Sequence, residues 1–477
     1  MKISLQADWP NRRFYGNVLK LGVPVAIQHL IATSSSMVDT VMIGSQGETA
    51  VAALGICSLF SMLFFEGYFG FSSGGGIFFA QYCGAKDERG ICRAYGLTLV
   101  CMMAVGFIFG ALAIFAPASI MRLYTDKESI QQMGIPYLRI VGWCYPLQTL
   151  AMAMGALLRS IEKVKIPLFA SVASLITNAL LNWLLIFGML GFPRMGIRGA
   201  AIATVIAQVV HILVLYAFCL KDKHSFVTRI REHFKWDLAF VREYFTKIFF
   251  VLLNEILYGV GMLLLNMIIG RQVETGIAAM AVFRVLEGFT FSFFVGLATA
   301  SSVVVGKWIG AGEHMEGYND AKRFALLCPV VTLAIWLIVL LFRSPVLHCF
   351  NLGADAFRYA VGMIFIYALT GTLRTCNYIS NNIFRAGGEP VFGTVIEIGG
   401  LFFISIPAAA IAGLYLHWPF LVVFFTLYLD EFIRLGIMLW YMNSGRWIKP
   451  VTEEGKTRLA EFKTSRDVSR KNLTMDL

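Results

Sequence analysis

The residues able to do chemistry in this 477-residue chain are few, and most lie inside long apolar runs. Asp39 is the first, near the end of the first apolar run and within a segment over 34–44 that is otherwise hydroxyl-bearing or apolar. Ser35 and Ser36 lie one helical turn back and Gln28 three turns back on the same face, so the carboxylate heads a polar stripe. Asn178 and Asn182 are spaced i, i+4 and share one face of a helix. Amide oxygens are neutral, hard ligands. With one carboxylate they can coordinate Na⁺, or hold a carboxyl that takes up a proton. Thr204, in Gly-Ala-Ala-Ile-Ala-Thr, could add a hydroxyl. The competing role for the amides and the hydroxyl is hydrogen bonding between helices.

A second group lies in the later half. Glu255 follows Asn254 in the middle of an apolar run, and Arg374, with Asn377 and Asn381 close by, is the nearest partner charge. A Glu255–Arg374 pair would be structural, or a gate that breaks on protonation. Glu66, Arg284 with Glu287, and Glu397 are weaker candidates, and Asp430, Glu431 and Arg434 read as pairing within one helix. Gly70-Phe71-Ser72-Ser73-Gly74 matches the serine-hydrolase pattern GxSxG, with His29 and His211 elsewhere. That motif requires a strand–turn–helix setting that an apolar helix lacks, so no enzyme is expected. There is no phosphate-binding GxxxxGK[ST] loop, no cofactor motif and no metal-like spacing among the nine cysteines.

The elements that carry these residues must lie in lipid. Hydrophobic residues make up 58% of the chain and charged ones 14%, more apolar surface than a water-soluble protein of this size can hide. A span takes about 20 mainly apolar residues, and twelve runs qualify: 17–43, 51–82, 92–116, 134–158, 166–190, 197–220, 244–270, 277–306, 323–342, 357–384, 391–413 and 419–442. Pro24 removes a backbone hydrogen bond from the first and should bend it. Most of the 40 basic residues fall on one side when both termini are placed in the cytoplasm. The net charge of +11 then reflects cytoplasmic loops rather than nucleic-acid binding. The expected organisation is an N-lobe of six spans over 1–220, a basic cytoplasmic linker over 221–243, a C-lobe of six spans over 244–442 and a cytoplasmic tail over 443–477. An interfacial helix is expected over 228–245, with Ile230, Phe234, Leu238, Val241 and Phe245 on its apolar face. The tail is charged and aperiodic, and is expected to be partly disordered.

Sliding the sequence by 226 residues aligns its halves. Ile43-Gly44 meets Ile269-Gly270, Gly84-Ala85 meets Gly310-Ala311, and Arg159 meets Arg385. An offset spanning six helices preserves sidedness, so the repeats are parallel, an arrangement in which two bundles can rock about a central site. The chemistry is not duplicated: Asp39 falls on Leu265 and Glu255 on His29.

These residues also carry a family likeness. The segments 37–44 (Met-Val-Asp-Thr-Val-Met-Ile-Gly), 80–87, 157–167, 178–188, 196–204 and 384–390, in this order and spacing, resemble the multidrug and toxic compound extrusion (MATE) family. The resemblance implies an all-α membrane protein of twelve transmembrane helices, its N-lobe and C-lobe forming a V around a central cavity. It implies a monomeric, multi-pass protein of the cell membrane that exports amphipathic, often cationic, small molecules in exchange for Na⁺ or H⁺. By position, Asp39, Asn178, Asn182 and Thr204 match the family's N-lobe cation site, with Na⁺ as one candidate at Asp39, Asn178 and Asn182. Asn182 stands where some members have an acid. Glu255 matches an acidic C-lobe position, but Arg374 stands where some members pair that acid with an Asp. A lipid or lipid-linked oligosaccharide flippase of related architecture is the alternative reading.

Overall fold

The computed structural model of the chain describes residues 12–348, 350 and 352–475. Among them the secondary structure is helical throughout, as lipid demands of a backbone that must satisfy its own hydrogen bonds. In chain order the helices are α1 (Arg12–Gly44), α2 (Glu48–Gly84), α3 (Glu88–Phe115), α4 (Pro117–Tyr124), α5 (Glu128–Val141), α6 (Cys144–Ser160), α7 (Lys165–Phe187) and α8 (Ile197–Lys221). After the short α9 (Ser225–Thr228) come α10 (Leu238–Ile269), α11 (Glu274–Gly310), α12 (His314–Leu341), α13 (Arg343–His348) and α14 (Ala354–Ala386). The chain ends with α15 (Pro390–Gly400), α16 (Ile406–Ala410), α17 (Phe420–Thr426), α18 (Leu429–Ser444) and α19 (Glu453–Met475).

Among the described residues ten helices are long and apolar enough to cross a membrane, counting Pro390–Tyr415 as one, and α5 with α6, bent by 49°, makes an eleventh. The twelfth expected run, 419–442, is covered by α17 and α18, interrupted at Leu427–Tyr428. The 226-residue offset reappears in the helix limits. α2 begins and ends where α11 does less that offset, α3 matches α12, and α5 with α6 matches α14. Where the halves differ, local chemistry explains it. Pro146 follows the α5–α6 break and cannot donate to the preceding turn, whereas Thr372 at the corresponding place leaves α14 continuous. Pro407, likewise without a donor, sits between two wide π turns at Leu401–Ser405 and Ile411–Tyr415.

Two compact units divide the chain. A C-terminal unit gathers the described parts of Met1–Val23, Ala80–Asp87 and Glu243–Leu477; an N-terminal unit holds Pro24–Phe79 and Glu88–Arg242. The division falls inside α1 at Pro24 and inside α2 before Ala80. In the N-terminal unit α7 and α8 are held close by Gly199, where a Cβ would lie 2.7 Å from the Leu185 carbonyl oxygen. The C-terminal unit has an aromatic core in which Phe283 meets Tyr367 and Phe424, and Trp336 meets Tyr367, at 4.9–5.2 Å between rings. It also contains a reciprocal contact between repeat-related glycines. A Cβ on Gly84 would come 1.9 Å from the Lys307 carbonyl oxygen, and one on Gly310 would come 1.9 Å from that of Gln81. The Gln81 amide donates to the Ala386 carbonyl at 2.8 Å and accepts from the Val451 N–H at 2.7 Å.

Two expectations need correction. No single helix spans 228–245: a 3₁₀ turn at Ile230–Phe234 is followed by a fresh start, where the Asp237 carboxylate caps α10 by accepting from the Phe240 N–H at 2.7 Å. His233, not an apolar side chain, turns inward there, packing on Gly96 and edge-on to Tyr95. The tail, expected to be partly disordered, instead carries a helix: the Thr452 hydroxyl caps α19 at the Gly455 N–H and the helix runs to Met475. Residues 476–477 lie outside the described residues.

Candidate functional site

α1 and α7 bring Asp39, Asn178 and Asn182 together in the N-terminal unit. Asn182 is fully buried and Asn178 nearly so, while Asp39 keeps partial access to solvent. The one amide nitrogen of Asn182 serves both neighbours, donating to Asp39 Oδ1 at 2.5 Å and to Asn178 Oδ1 at 3.1 Å. Its own Oδ1 is buried with no hydrogen-bond partner among the described residues. Such an orphan costs about 1–3 kcal/mol. A cation held between this oxygen and the carboxylate would relieve that cost, and one carboxylate with neutral oxygens is a donor set that hard monovalent ions accept.

Other expected members are placed differently. The Thr204 hydroxyl donates to the Ala200 carbonyl at 2.9 Å within α8, so its described bond is not with the trio. Gln28 donates to Ser171 at 3.2 Å, extending polar contact between α1 and α7. Pro24 lies inside a helix that continues to Gly44. Tyr137 of α5 was not singled out from sequence. It packs on the cluster of Ile43, Ala50, Leu54, Ile186 and Ala200, beside the end of α1 that carries Asp39. No spacing rule links a tyrosine in a short helix to a carboxylate ninety-odd residues earlier.

Glu255 and Arg374 do not pair. Arg374 donates to Glu287 at 2.5 Å, Tyr258 at 2.7 Å and Tyr367 at 2.9 Å. Glu255 instead accepts from Arg385 at 2.7 Å. The reason is reach: Tyr258 and Glu287 converge on Arg374, whereas Glu255 and Asn254 both meet Arg385. Glu397, ranked low from sequence, is central. It accepts from Asn381 at 2.6 Å, Asn254 at 3.1 Å and Arg434 at 3.2 Å. Arg434 also lies 3.2 Å from Asp430 and 3.3 Å from Glu431, and Ser405 donates to Asp430 at 2.6 Å. The expected pairing within α18 is present, and it forms part of a buried network over α10, α14, α15 and α18 and the π turn after α15. The GxSxG motif lies within α2, with no strand or turn.

Comparison with known proteins accords with this architecture. The MatE family profile matches residues 24–184 and 251–411, once in each half. A relative, "Probable multidrug resistance protein YoeA" of Bacillus subtilis, is 26% identical over 82% of this chain and 86% of its own length. "Probable multidrug resistance protein NorM" of Thermotoga maritima is 21% identical over 91% of this chain and 93% of its own. Among solved structures, "Crystal structure of MATE in complex with MaL6" superposes with a TM-score of 0.82 at 17% identity, covering 94% of this chain and all of that one. These relatives do not favour the flippase reading. With the family profile matched in both repeats, the chain belongs to the MatE family and is a multi-pass membrane transporter.

Proposed function

We propose that the protein is a cation-coupled antiporter, exchanging Na⁺ or H⁺ for amphipathic, often cationic, drugs or toxic compounds by alternating access. The observation that carries the reading is the orphaned Asn182 Oδ1 beside Asp39, an oxygen and a carboxylate that a cation would satisfy together. The coupling cation and the drug favour opposite-facing states, so each promotes release of the other; only different affinities for the two states can do this. One inward charge gains about 2.3 kcal/mol per 100 mV of membrane potential, enough to sustain outward accumulation. The names of the relatives, multidrug resistance proteins, support a drug exporter. We place the protein in the cell membrane as a monomer with both termini in the cytoplasm.

The test is ethidium efflux into the lumen of everted vesicles with Na⁺ and pH gradients imposed separately. Stimulation by one gradient identifies the ion, and Asp39→Asn is expected to abolish that stimulation with the protein still in the membrane. Undiminished, gradient-driven efflux in Asp39→Asn overturns the assignment.

A further inference from the structure

The internal repeat places the same contact in both units and fills it with opposite chemistry. In the C-terminal unit Asn254 donates to Glu397 at 3.1 Å, and Arg385 is held by Glu255 at 2.7 Å. Shifting by 226 residues gives Gln28, Ser171, Arg159 and His29 in the N-terminal unit. The first pair is preserved as geometry, Gln28 donating to Ser171 at 3.2 Å. The second is not preserved as charge, because the place of the Glu255 carboxylate is taken by an imidazole. In the last helix of each repeat, aligned by its ends, Arg434 corresponds to His211, and Asp430 and Glu431 correspond to Ala207 and Gln208. Four carboxylates and two arginines in one unit are therefore replaced by one arginine and two histidines in the other.

Arg159 consequently has no carboxylate partner among the described residues. Its one described contact is with the Met152 sulfur at 4.0 Å. In the repeat register His29 and Arg159 occupy the places of Glu255 and Arg385, which lie 2.7 Å apart, and His211 occupies that of Arg434. None of the three is fully buried: His29 is exposed, and Arg159 and His211 are half-buried. Gly155 replaces Asn381, which donates to Glu397 in the other unit; a Cβ at Gly155 would come 3.2 Å from Arg159 Nη1. An arginine in a membrane-spanning segment is costly, and such residues are normally paired or face a polar path.

We propose that Arg159, flanked by His29 and His211, is a binding site for the oxyanion of an amphipathic ligand, a carboxylate or a phosphate. A guanidinium offers two parallel N–H donors to such a group, and the imidazoles add further polar contacts at the rim. The bound oxyanion takes the place that the Glu255 carboxylate holds against Arg385. The protein then recognises acidic and zwitterionic amphiphiles as well as the cationic ones of the proposed function. The inference extends that reading to a further substrate class, and equilibrium binding tests it without any ion gradient.

The experiment measures binding of 2-naphthoate, 2-naphthyl phosphate and 2-naphthyltrimethylammonium, which share one apolar body, to the purified full-length protein in phosphatidylcholine nanodiscs by calorimetry. Wild type is expected to bind at least one of the two anions, and the stronger of them names the headgroup. Arg159→Gln and His29→Glu are each expected to weaken that anion at least tenfold, with the ammonium probe changed less than twofold. His29→Glu supplies the carboxylate found in the other unit, so it decides the matter should Arg159→Gln fail to fold. No anion binding by wild type, or equal binding by wild type and His29→Glu, overturns the proposal.

Discussion

Replacing Asn182 by Leu separates the energetic role of the buried trio from its proposed role toward a cation. The substitution removes a charge-assisted bond to Asp39 at 2.5 Å, worth about 1.5–3 kcal/mol, and a neutral bond to Asn178 at 3.1 Å, worth about 1 kcal/mol. It also removes the buried orphan oxygen, relieving about 1–3 kcal/mol. These terms largely offset, so stability in the absence of the coupling ion should fall by no more than about 3 kcal/mol. Cation binding has no such compensation. Losing one inner ligand and the orientation of the carboxylate at about 2–3 kcal/mol corresponds to roughly thirty- to hundredfold weaker binding, at 1.4 kcal/mol per tenfold. The assay is thermal unfolding in nanodiscs. Na⁺ is exchanged for choline at fixed ionic strength and pH, and pH is then varied at fixed Na⁺. Where Na⁺ stabilises wild type it does so as the logarithm of one plus its concentration over its dissociation constant, and its midpoint should move up by that factor in Asn182→Leu. Thr204→Val is the internal control, expected to leave the midpoint within about threefold, because its hydroxyl bonds its own helix. An unchanged midpoint in Asn182→Leu would refute the reasoning.

Other consequences follow from the packing. Arg434→Leu strips the shared cation from Glu397, Asp430 and Glu431, and breaking a buried network of this kind costs about 3–5 kcal/mol; thiol-dye unfolding, which reports the buried cysteines, should show a markedly lower midpoint. Gly84→Val drives a Cβ into the Lys307 carbonyl and should destabilise by about 1–3 kcal/mol, readable in the same scan, with Gly16→Ala, where the space is open, as the near-neutral comparison. Burial holds the His233 imidazole below its usual 6.5. The folded chain therefore takes up this proton less readily than the unfolded one. The stability this adds is complete above about 6.5 and is lost as pH falls below it. Hydrogen exchange over 225–237 should quicken on acidification, and His233→Gln should flatten that dependence.

How far the sequence could be read depends on whether a residue's partner was close along the chain or recoverable from the repeat. The helices were legible because apolar runs, proline and charge report burial in lipid one segment at a time, and the 226-residue register then recurs in the helix limits. Asn178 with Asn182 was legible because i, i+4 neighbours must meet. Their meeting with Asp39 crosses 143 residues, and so does the Asn254–Glu397 contact that was ranked low. Distances of that kind are set by which faces of two helices pack, which composition does not report. The assignment of Arg374 to Glu287 rather than Glu255 was likewise a matter of three-dimensional reach. The linker misled for a different reason. Its apolar periodicity was real, but Asp237 prefers to cap a new helix over continuing an old one.

The Gln81 amide has a bearing on how the molecule is made. It is joined to Ala386, 305 residues later, and to Val451, 370 residues later. A ribosome delivers Gln81 305 residues before the first of these partners and 370 before the second. Until then the amide and the bare glycine surface beside it wait, with water or another protein as their only company. Assembly here is thus tied to chain made long after Gln81, and a product that stops before Val451 displays an unsatisfied patch that one containing Val451 has closed.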